Sequence, residues 1–179
     1  MTPPPEPEFA DLAALEAMLA QMADIPGEAP GLSELDHALQ CADALKLSAP
    51  DDLELQIAGL VHDIGHAHGA NHDRVGGEAV RPILGDRVAA LVALHVDAKR
   101  YLVATDAAYR ERLSPVSIHT LELQGGPMSE AEAAAFAALP YARDAITLRH
   151  ADEAAKVVGL KTASLDSWLP GLRQIAAAR

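Results

Sequence analysis

The chain has few aromatic residues and almost no cysteine. Phe, Trp and Tyr make up 3% of its 179 residues, although 50% of the residues are hydrophobic. A core of this composition has to be built from aliphatic side chains and alanine, a composition typical of helical proteins. Cys41 is the only cysteine, so an internal disulfide is excluded, and the chain is compatible with a reducing cytoplasm.

Basic residues are also scarce. The chain has 14 Lys and Arg against 26 Asp and Glu, which gives a net charge of −12. Nucleic-acid binding is not expected as a primary role, because it depends on Lys and Arg. No run of about 18 apolar residues predicts a membrane span, and residues 1–7 lack the basic-then-apolar pattern of a signal peptide. We expect a cytoplasmic monomer or small homo-oligomer with no membrane or nucleic-acid partner.

The remainder of the chain has no repeat, long linker or low-complexity block that would divide it. We predict a disordered, proline-rich tail over residues 1–7 and a single all-α domain, a helical bundle, over residues 8–179. Apolar spacing predicts two helices over 76–84 and 86–102 and a final helix over 164–178.

Serine and proline residues mark three helix starts. Ser33 is expected to cap the helix that follows the glycine-proline loop. Ser129 and Glu132 have the spacing of a capping box, in which each side chain bonds the backbone of the other. Pro140 is expected to begin the helix that carries Asp152.

Six histidine and aspartate side chains lie in helix-like contexts along the chain. The adjacent pair His62-Asp63 ends the apolar run 58–61. Burying an imidazole and a carboxylate together costs several kcal/mol unless a cation compensates them, so a metal ion is the favoured reason for the pair. The alternative is a core histidine bonded to a capping aspartate. The six candidate metal ligands are His37, His62, Asp63, His72, His95 and Asp152.

Ligand chemistry narrows the choice of metal. Four imidazoles and two carboxylates without a thiolate suit iron, manganese, cobalt or zinc. Six protein ligands exceed what one tetrahedral zinc needs, which favours a dinuclear site. Asp63, central in the ligand order, is the best candidate for a carboxylate shared between two metals.

This order of residues resembles the HD-domain superfamily, in which a histidine, a His-Asp pair and a distant aspartate bind metal. Most members hydrolyse phosphate esters. From about Pro26 to Val158 the likeness is closer to one branch, the phosphonate-associated HD-domain mixed-valent diiron oxygenases, which are related to myo-inositol oxygenase. The strings that carry the resemblance are Asp36-His-Ala-Leu-Gln40, Leu60-Val-His-Asp-Ile-Gly-His66, His72 with Val75-Gly76, His95-Val-Asp-Ala-Lys-Arg-Tyr-Leu102 and Leu121-Glu-Leu-Gln-Gly-Gly-Pro-Met-Ser129.

The resemblance implies two iron ions, one Fe(II) and one Fe(III). It assigns His37, His62, Asp63 and Asp152 to the first iron. It assigns Asp63, His72 and His95 to the second. Asp63 and His66 are the residues that we expect to take part in catalysis, His66 as a pocket histidine near the substrate.

The same resemblance implies a set of substrate contacts. Lys99, four residues after His95, would help to hold a phosphonate, and a dianionic headgroup needs such cations and donors around it. Without the resemblance, a solvated helix end would explain Lys99 and a structural salt bridge would explain Arg149. The expected substrate contacts are Glu28, His66, Lys99, Ser117, Thr120, Gln124 and Arg149.

The first segment departs from the branch. Its members carry a tyrosine and a glutamate before the first histidine, as a lid and a contact for the substrate's amino end. Gly27-Glu28-Ala29 is kept here, but Ile25 stands where the tyrosine is expected. The spacing from Glu28 to His37 is also about two residues longer, so the resemblance does not fix the substrate's identity.

The resemblance implies an iron-dependent oxygenase that cleaves the C–P bond of a small 1-hydroxyphosphonate with dioxygen and releases phosphate. The alternative is an HD-domain phosphohydrolase for a small phosphate ester or nucleotide, in which manganese or another divalent metal generates a hydroxide. A module without activity that binds a partner protein is the least favoured interpretation, because it has no need for all six ligands.

Overall fold

The computed structural model describes residues 9–179, except for the side chains of residues 67, 68 and 70. The tail predicted over residues 1–7 lies outside the described residues. Within them the regular elements are helices, as predicted, and β-pairing is limited to an isolated bridge between Pro26 and Ser33. The α-helices are α1 (Leu12–Gln21), α2 (Glu34–Ser48), α3 (Leu53–Val61), α4 (His72–Thr105), α5 (Ala107–Glu111), α6 (Pro115–Leu123), α7 (Glu130–Ala137), α8 (Ala142–Ala154) and α9 (Leu165–Ala177). Short 3₁₀ helices cover Met22–Asp24 and His66–Asn71.

The centre of the fold is formed by α2, α3, α4 and α8, which pack against one another. Leu45, Leu60, Leu91 and Leu148 come one from each of these helices, and all four are fully buried. The core is aliphatic, as the composition predicted, because burial of such side chains is the main favourable term in folding. The four central helices therefore form a rigid frame for the polar groups that they carry.

The longest helix, α4, has a break at Gly85. This residue has a φ of 84°, which glycine adopts without steric cost. The break lies between the two predicted helices 76–84 and 86–102, but their outer ends were placed too short. The helical residues extend to His72 at one end and Thr105 at the other.

One capping box was predicted, and the structure shows two. Ser129 and Glu132 form the predicted box at the start of α7. Ser33 caps α2 as predicted, and Asp36 completes a box there. The helix α8 begins at Ala142, two residues later than the predicted start at Pro140.

A second, smaller apolar cluster holds α5 and α6 against α4. It contains Leu102, Val103, Tyr109, Leu113 and Leu121, and Ile146 of α8 packs on it. This cluster holds the face of α6 that carries Ser117 and Thr120 opposite the C-terminal part of α4. None of the helices in the described residues has the length and apolar character needed to cross a membrane.

Candidate metal centre and adjoining pocket

The six predicted ligands lie in four separate parts of the fold. His37 belongs to α2 and Asp152 to α8. His62 and Asp63 lie in the turn that ends α3, not inside a helix as predicted. His72 begins α4, and His95 lies about six turns further along it. The structure brings all six side chains together at the centre of the bundle.

The six side chains form two groups of three. His37, His62 and Asp152 form one group, and Asp63, His72 and His95 form the other. In each group one nitrogen or oxygen atom per residue lies within 4.8 Å of those of the other two. This spacing is the one expected of side chains that surround a common ion, and each group is able to hold one metal.

Asp63 lies between the two groups. Its Oδ2 atom is 3.4 Å from Nε2 of His37 and 3.2 Å from Nε2 of His62. Its Oδ1 atom is 3.2 Å from Nε2 of His72 and 3.6 Å from Nε2 of His95. Each carboxylate oxygen therefore faces a different group, which is the geometry that a bridging carboxylate requires.

The backbone fixes the orientation of all four imidazole rings. In each ring Nδ1 lies within hydrogen-bond distance of a carbonyl oxygen, and since a carbonyl only accepts, Nδ1 carries the proton. The four bonds run from His37 to Ala155 (2.7 Å), from His62 to Gly59 (2.8 Å), from His72 to Gly69 (2.7 Å) and from His95 to Val92 (2.7 Å). Such a bond on the remote nitrogen is the usual second partner of a metal-binding histidine.

The Nε2 atoms of the four rings, which make no bond to the backbone, face one another in two pairs. Those of His37 and His62 are 3.2 Å apart, and those of His72 and His95 are 2.9 Å apart. With Nδ1 protonated, neutral rings would direct two lone pairs at each other in a buried space, which is unfavourable unless a proton or a metal ion lies between them. The donor set therefore fits metal ions, and its mixture of imidazole and carboxylate suits iron, manganese, cobalt or zinc.

The electrostatics of the cluster keep its carboxylates ionised. Burial opposes ionisation of Asp63 and Asp152, but the histidines around both, and Arg149 beside Asp152, hold the pKa of each carboxyl well below its usual range. Burial also opposes protonation of His37, but its bonds to Asp152 and Asp63 raise its pKa to about 9. Burial, together with the neighbouring His72, lowers the pKa of His95 to about 3.

A cavity of about 380 Å³ opens beside this cluster. Five of the six ligands reach its wall, whereas His62 is fully buried behind them. Apolar side chains such as Val96, Val116 and Leu123 complete the lining. The cavity is also lined by every predicted substrate contact, namely Glu28, His66, Lys99, Ser117, Thr120, Gln124 and Arg149.

Lys99 lies on the α4 side of this cavity and is 3% exposed. Its Nζ donates to Oγ1 of Thr120 at 3.0 Å. Burial and the nearby charge of Arg149 lower the pKa of Lys99 to about 7. The alternative of a solvated helix end is therefore wrong for Lys99. Oε1 of Gln124 is also buried here and has no hydrogen-bond partner among the described residues.

Arg149 agrees with both interpretations that the sequence left open, a structural salt bridge and a position in the substrate pocket. Its guanidinium bonds the carboxylates of Asp152 and Glu153, and its Nε donates to the hydroxyl of Tyr109 at 2.7 Å. It is thus part of a buried ion-pair network, and it also lines the cavity. Tyr109 reaches this network from α5, where it is the buried residue of that short helix.

The opposite side of the cavity is formed by His66 and the loop before α2. The His66 side chain is 44% exposed, and its Nδ1 lies 3.6 Å from a carboxylate oxygen of the buried Glu34. Glu28 lines the cavity, but Ile25 packs against the hydrophobic core instead. Ile25, at the position where the resemblance leads us to expect a tyrosine, is therefore not part of the cavity wall.

Sequence reasoning missed four residues of the site: Glu34, Tyr109, Glu153 and Lys156. Lys156 lines the cavity, and its Nζ lies 2.6 Å from Oγ of Ser117 and 2.7 Å from a carboxylate oxygen of Glu28. It follows α8 in an irregular segment, so no helical spacing indicated the direction of its side chain. Its i, i+3 spacing from Glu153 indicates an ion pair between those two residues, but not the contacts with Ser117 and Glu28.

Comparison with known proteins places this geometry in a family. Residues 34–153 match the HD domain. The chain is 39% identical over 150 residues to hydroxymethylphosphonate dioxygenase of Gimesia maris, an alignment that covers 76% of this chain and 74% of that protein. It is 35% identical over 145 residues to the glycine-betaine-forming [1-hydroxy-2-(trimethylamino)ethyl]phosphonate dioxygenase of Leisingera caerulea, covering 74% and 72% respectively. The chain therefore belongs to the HD domain family, in the branch that contains these phosphonate dioxygenases.

Proposed function

We propose that this protein is an iron-dependent oxygenase that cleaves the C–P bond of a small 1-hydroxyphosphonate and releases phosphate. The two relatives named above are phosphonate dioxygenases that share most of the chain. The observation that carries the proposal is the position of Lys99, a buried cation without a carboxylate partner among the described residues, in the same cavity as the histidine-aspartate cluster. A small anion bound there would place its substituent beside the metals.

The proposed overall reaction balances with dioxygen as the only oxidant. The C–P bond breaks, the carbinol carbon is oxidised to a carboxylic acid, and the phosphorus leaves as phosphate. One oxygen atom of dioxygen goes to carbon and the other to phosphorus, so no external reductant is required. In this proposal the six histidine and aspartate side chains would hold two iron ions, and these, as an Fe(II)/Fe(III) pair, would supply the one-electron chemistry of the oxidation.

The ligand assignment follows the two groups of side chains. His37, His62 and Asp152 would hold one iron, and His72 and His95 would hold the other. Asp63 would bridge them, because its two oxygens face different groups. Hard carboxylate ligands stabilise the ferric ion, and the second group brings fewer protein ligands, which leaves room for a small molecule.

The headgroup would be held by the α4, α6 and α8 walls of the cavity. Lys99 supplies a positive charge, and Thr120, which accepts from Lys99 and donates to the carbonyl of Ser117 at 3.2 Å, holds the ammonium group in place. Ser117 and Gln124 add further polar atoms, and Arg149 adds a second cation. His66 also lines the cavity and would contact the substrate's remaining atoms. This division would orient the carbinol carbon towards the metals, and a fixed orientation is a large part of a catalyst's contribution.

The proposal is tested by oxygen uptake. Protein loaded with iron(II) is mixed with a panel of 1-hydroxyphosphonates, and oxygen consumption is recorded together with phosphate release by phosphorus NMR. One oxygen consumed per phosphate released is the expected result for at least one member of the panel. Phosphate release from a phosphate ester without oxygen uptake would instead assign the chain to the hydrolases of the family, with manganese or another divalent metal as the cofactor.

A further inference from the structure

Lys156 lies between two walls of the cavity and contacts both of them. Its Nζ contacts Ser117 of α6 at 2.6 Å and Glu28 of the loop before α2 at 2.7 Å. It also lies 3.3 Å from both carboxylate oxygens of Glu153. These three partners use all three N–H donors of the ammonium group. Lys156 is therefore placed to neutralise carboxylates, not to offer a further donor to a ligand.

The negative charge of Glu28 is compensated by its contact with Lys156. Apart from Lys156, its partner is the neutral hydroxyl of Ser114, which donates to it. Glu153 is different, because Arg149 also pairs with it. Removing the Lys156 charge would therefore leave Glu153 compensated but would leave Glu28 as an unpaired carboxylate in the wall of the cavity.

The backbone that carries Glu28 is held independently of Lys156. Gly27 N–H donates to Leu32 at 2.8 Å, and Glu34 N–H donates to Ile25 at 2.9 Å. These two bonds close the base of the loop. A substitution at Lys156 is thus expected to change the charge balance at Glu28 with little displacement of the loop.

A carboxylate in a binding cavity is the natural partner of a ligand ammonium group. In this chain a cationic ligand group near Glu28 would have to displace Lys156 or lie beside its positive charge. The second carboxylate of the wall outside the ligand set, Glu34, has Nδ1 of His66 within 3.6 Å, a group that is charged only when protonated. At Glu28, the described wall thus presents a carboxylate that is already compensated to a cationic substituent.

We propose that Lys156 is a specificity-determining residue, which cancels the charge of Glu28 and so makes the cavity disfavour phosphonates that carry an ammonium group. The favoured substrates are then 1-hydroxyphosphonates with hydrogen or a small uncharged group on the carbinol carbon. The inference deepens the proposed function, since it takes a phosphonate as the ligand class.

The test compares the binding of two ligands of nearly equal shape, ethylphosphonate and aminomethylphosphonate, which differ in a methyl or an ammonium terminus. Isothermal titration with metal-loaded protein gives the ratio of their dissociation constants for the wild type, Lys156→Met, and the double variant Lys156→Met/Glu28→Gln. The matched control is Lys161→Met, which removes the same charge from an exposed position in the same segment.

Lys156→Met is expected to shift the ratio towards aminomethylphosphonate by roughly tenfold, the effect of one close charge pair. The double variant should return the ratio to within about twofold of the wild type, and Lys161→Met should leave it unchanged. An unchanged ratio in Lys156→Met, or a shift that persists without the Glu28 charge, would overturn the proposal. Because neither ligand needs to react, the result is independent of the oxygen-uptake experiment. If ethylphosphonate does not bind the wild type at all, the phosphonate site and this inference are both wrong.

Discussion

At the scale of single residues, the environment of Lys99 is the most unusual in the pocket. Among the described residues it pairs with no carboxylate, although it is buried and near the charge of Arg149. A buried cation of this kind is unfavourable without a ligand. Binding an anion relieves that cost, so Lys99 is expected to contribute strongly to the affinity for a phosphonate.

Replacing Lys99 with methionine is expected to weaken methylphosphonate binding by roughly tenfold or more, the loss of a charge-assisted hydrogen bond. Metal content should stay unchanged, because Lys99 is not part of either ligand group. Isothermal titration and elemental analysis of the same preparation give both quantities. Lys161→Met serves as the control for the loss of one positive charge. Parallel loss of metal and affinity would contradict the assigned role.

The contribution of Lys99 should also depend on pH. Its pKa is lowered to about 7, so the ammonium form that attracts an anion is lost as the pH rises through that value. The ratio of wild-type to Lys99→Met affinity for methylphosphonate should therefore fall between pH 6 and pH 8.5. Comparing the two proteins at each pH removes the titration of the phosphonate itself. A ratio that stays constant or rises would show that Lys99 does not act as a cation in binding.

The sequence predicted individual ligands better than it predicted their partners. His37, His72 and His95 stand at recognisable positions on or before apolar helices, and the structure places their donor atoms together. Their role as ligands stays a prediction, as do the substrate contacts. Lys156 and Glu153 were missed because their effect depends on contacts with α6 and the loop before α2, which local spacing does not encode.

At the scale of elements, the turn after α3 is the part that deviates most from expectation. The sequence predicted the His62-Asp63 pair inside a helix, but α3 ends at Val61. The turn lets Asp63 face both ligand groups while His62 points back into the core. Helix starts were easier to predict, because Ser33 and Ser129 act through local capping bonds.

Gly65 allows this turn to lie against the first turns of α4. A Cβ atom there would be 2.2 Å from the carbonyl oxygen of His72 and 2.8 Å from the nitrogen of Gly76. These are backbone atoms, so the turn itself would have to move. Gly65→Ala is expected to separate Asp63 from His72 and to reduce metal content by at least half, while most of the helical circular dichroism remains.

The matched control for this change is Gly171→Ala in α9. Its added methyl group would meet the end of the Leu53 side chain at 3.1 Å, a group that is able to move. Metal content is measured by elemental analysis after identical loading. Full metal occupancy in Gly65→Ala would mean that the contact between the turn and α4 is not required for the site.

At the scale of the whole molecule, the cluster joins parts that are distant in sequence. The four central helices or their ends all contribute at least one side chain to it. A metal that binds the folded arrangement and not the unfolded chain stabilises the fold by mass action. The fold class was predictable from the composition and helical spacing. The meeting of these distant parts of the chain at one cluster is seen only in the structure.

Removing metal with a chelator is therefore expected to lower the unfolding temperature by roughly 5–10 °C at a metal concentration of about 100 times Kd. Calorimetry of the metal-loaded and chelated protein measures the difference. Iron(II), manganese or zinc should restore the loss, whereas calcium should not, because the ligand set is rich in imidazole. Equal unfolding temperatures with and without metal would favour the interpretation of the chain as a module that does not depend on metal.

All four imidazole rings are held by main-chain carbonyls, and this decides which side chains around the site are able to change. A carbonyl group is present whichever side chain the residue bears, so the rings of His37 and His95 keep these bonds when the side chains at positions 155 and 92 change. At the other two positions an added Cβ would lie 2.4 Å from Leu45 (Gly59) or require a residue with a φ of 57° (Gly69). The cavity wall, in contrast, is built from side-chain contacts such as those of Lys156. Substitutions in the cavity wall are therefore expected to change which ligands the pocket accepts while these rings keep their orientation.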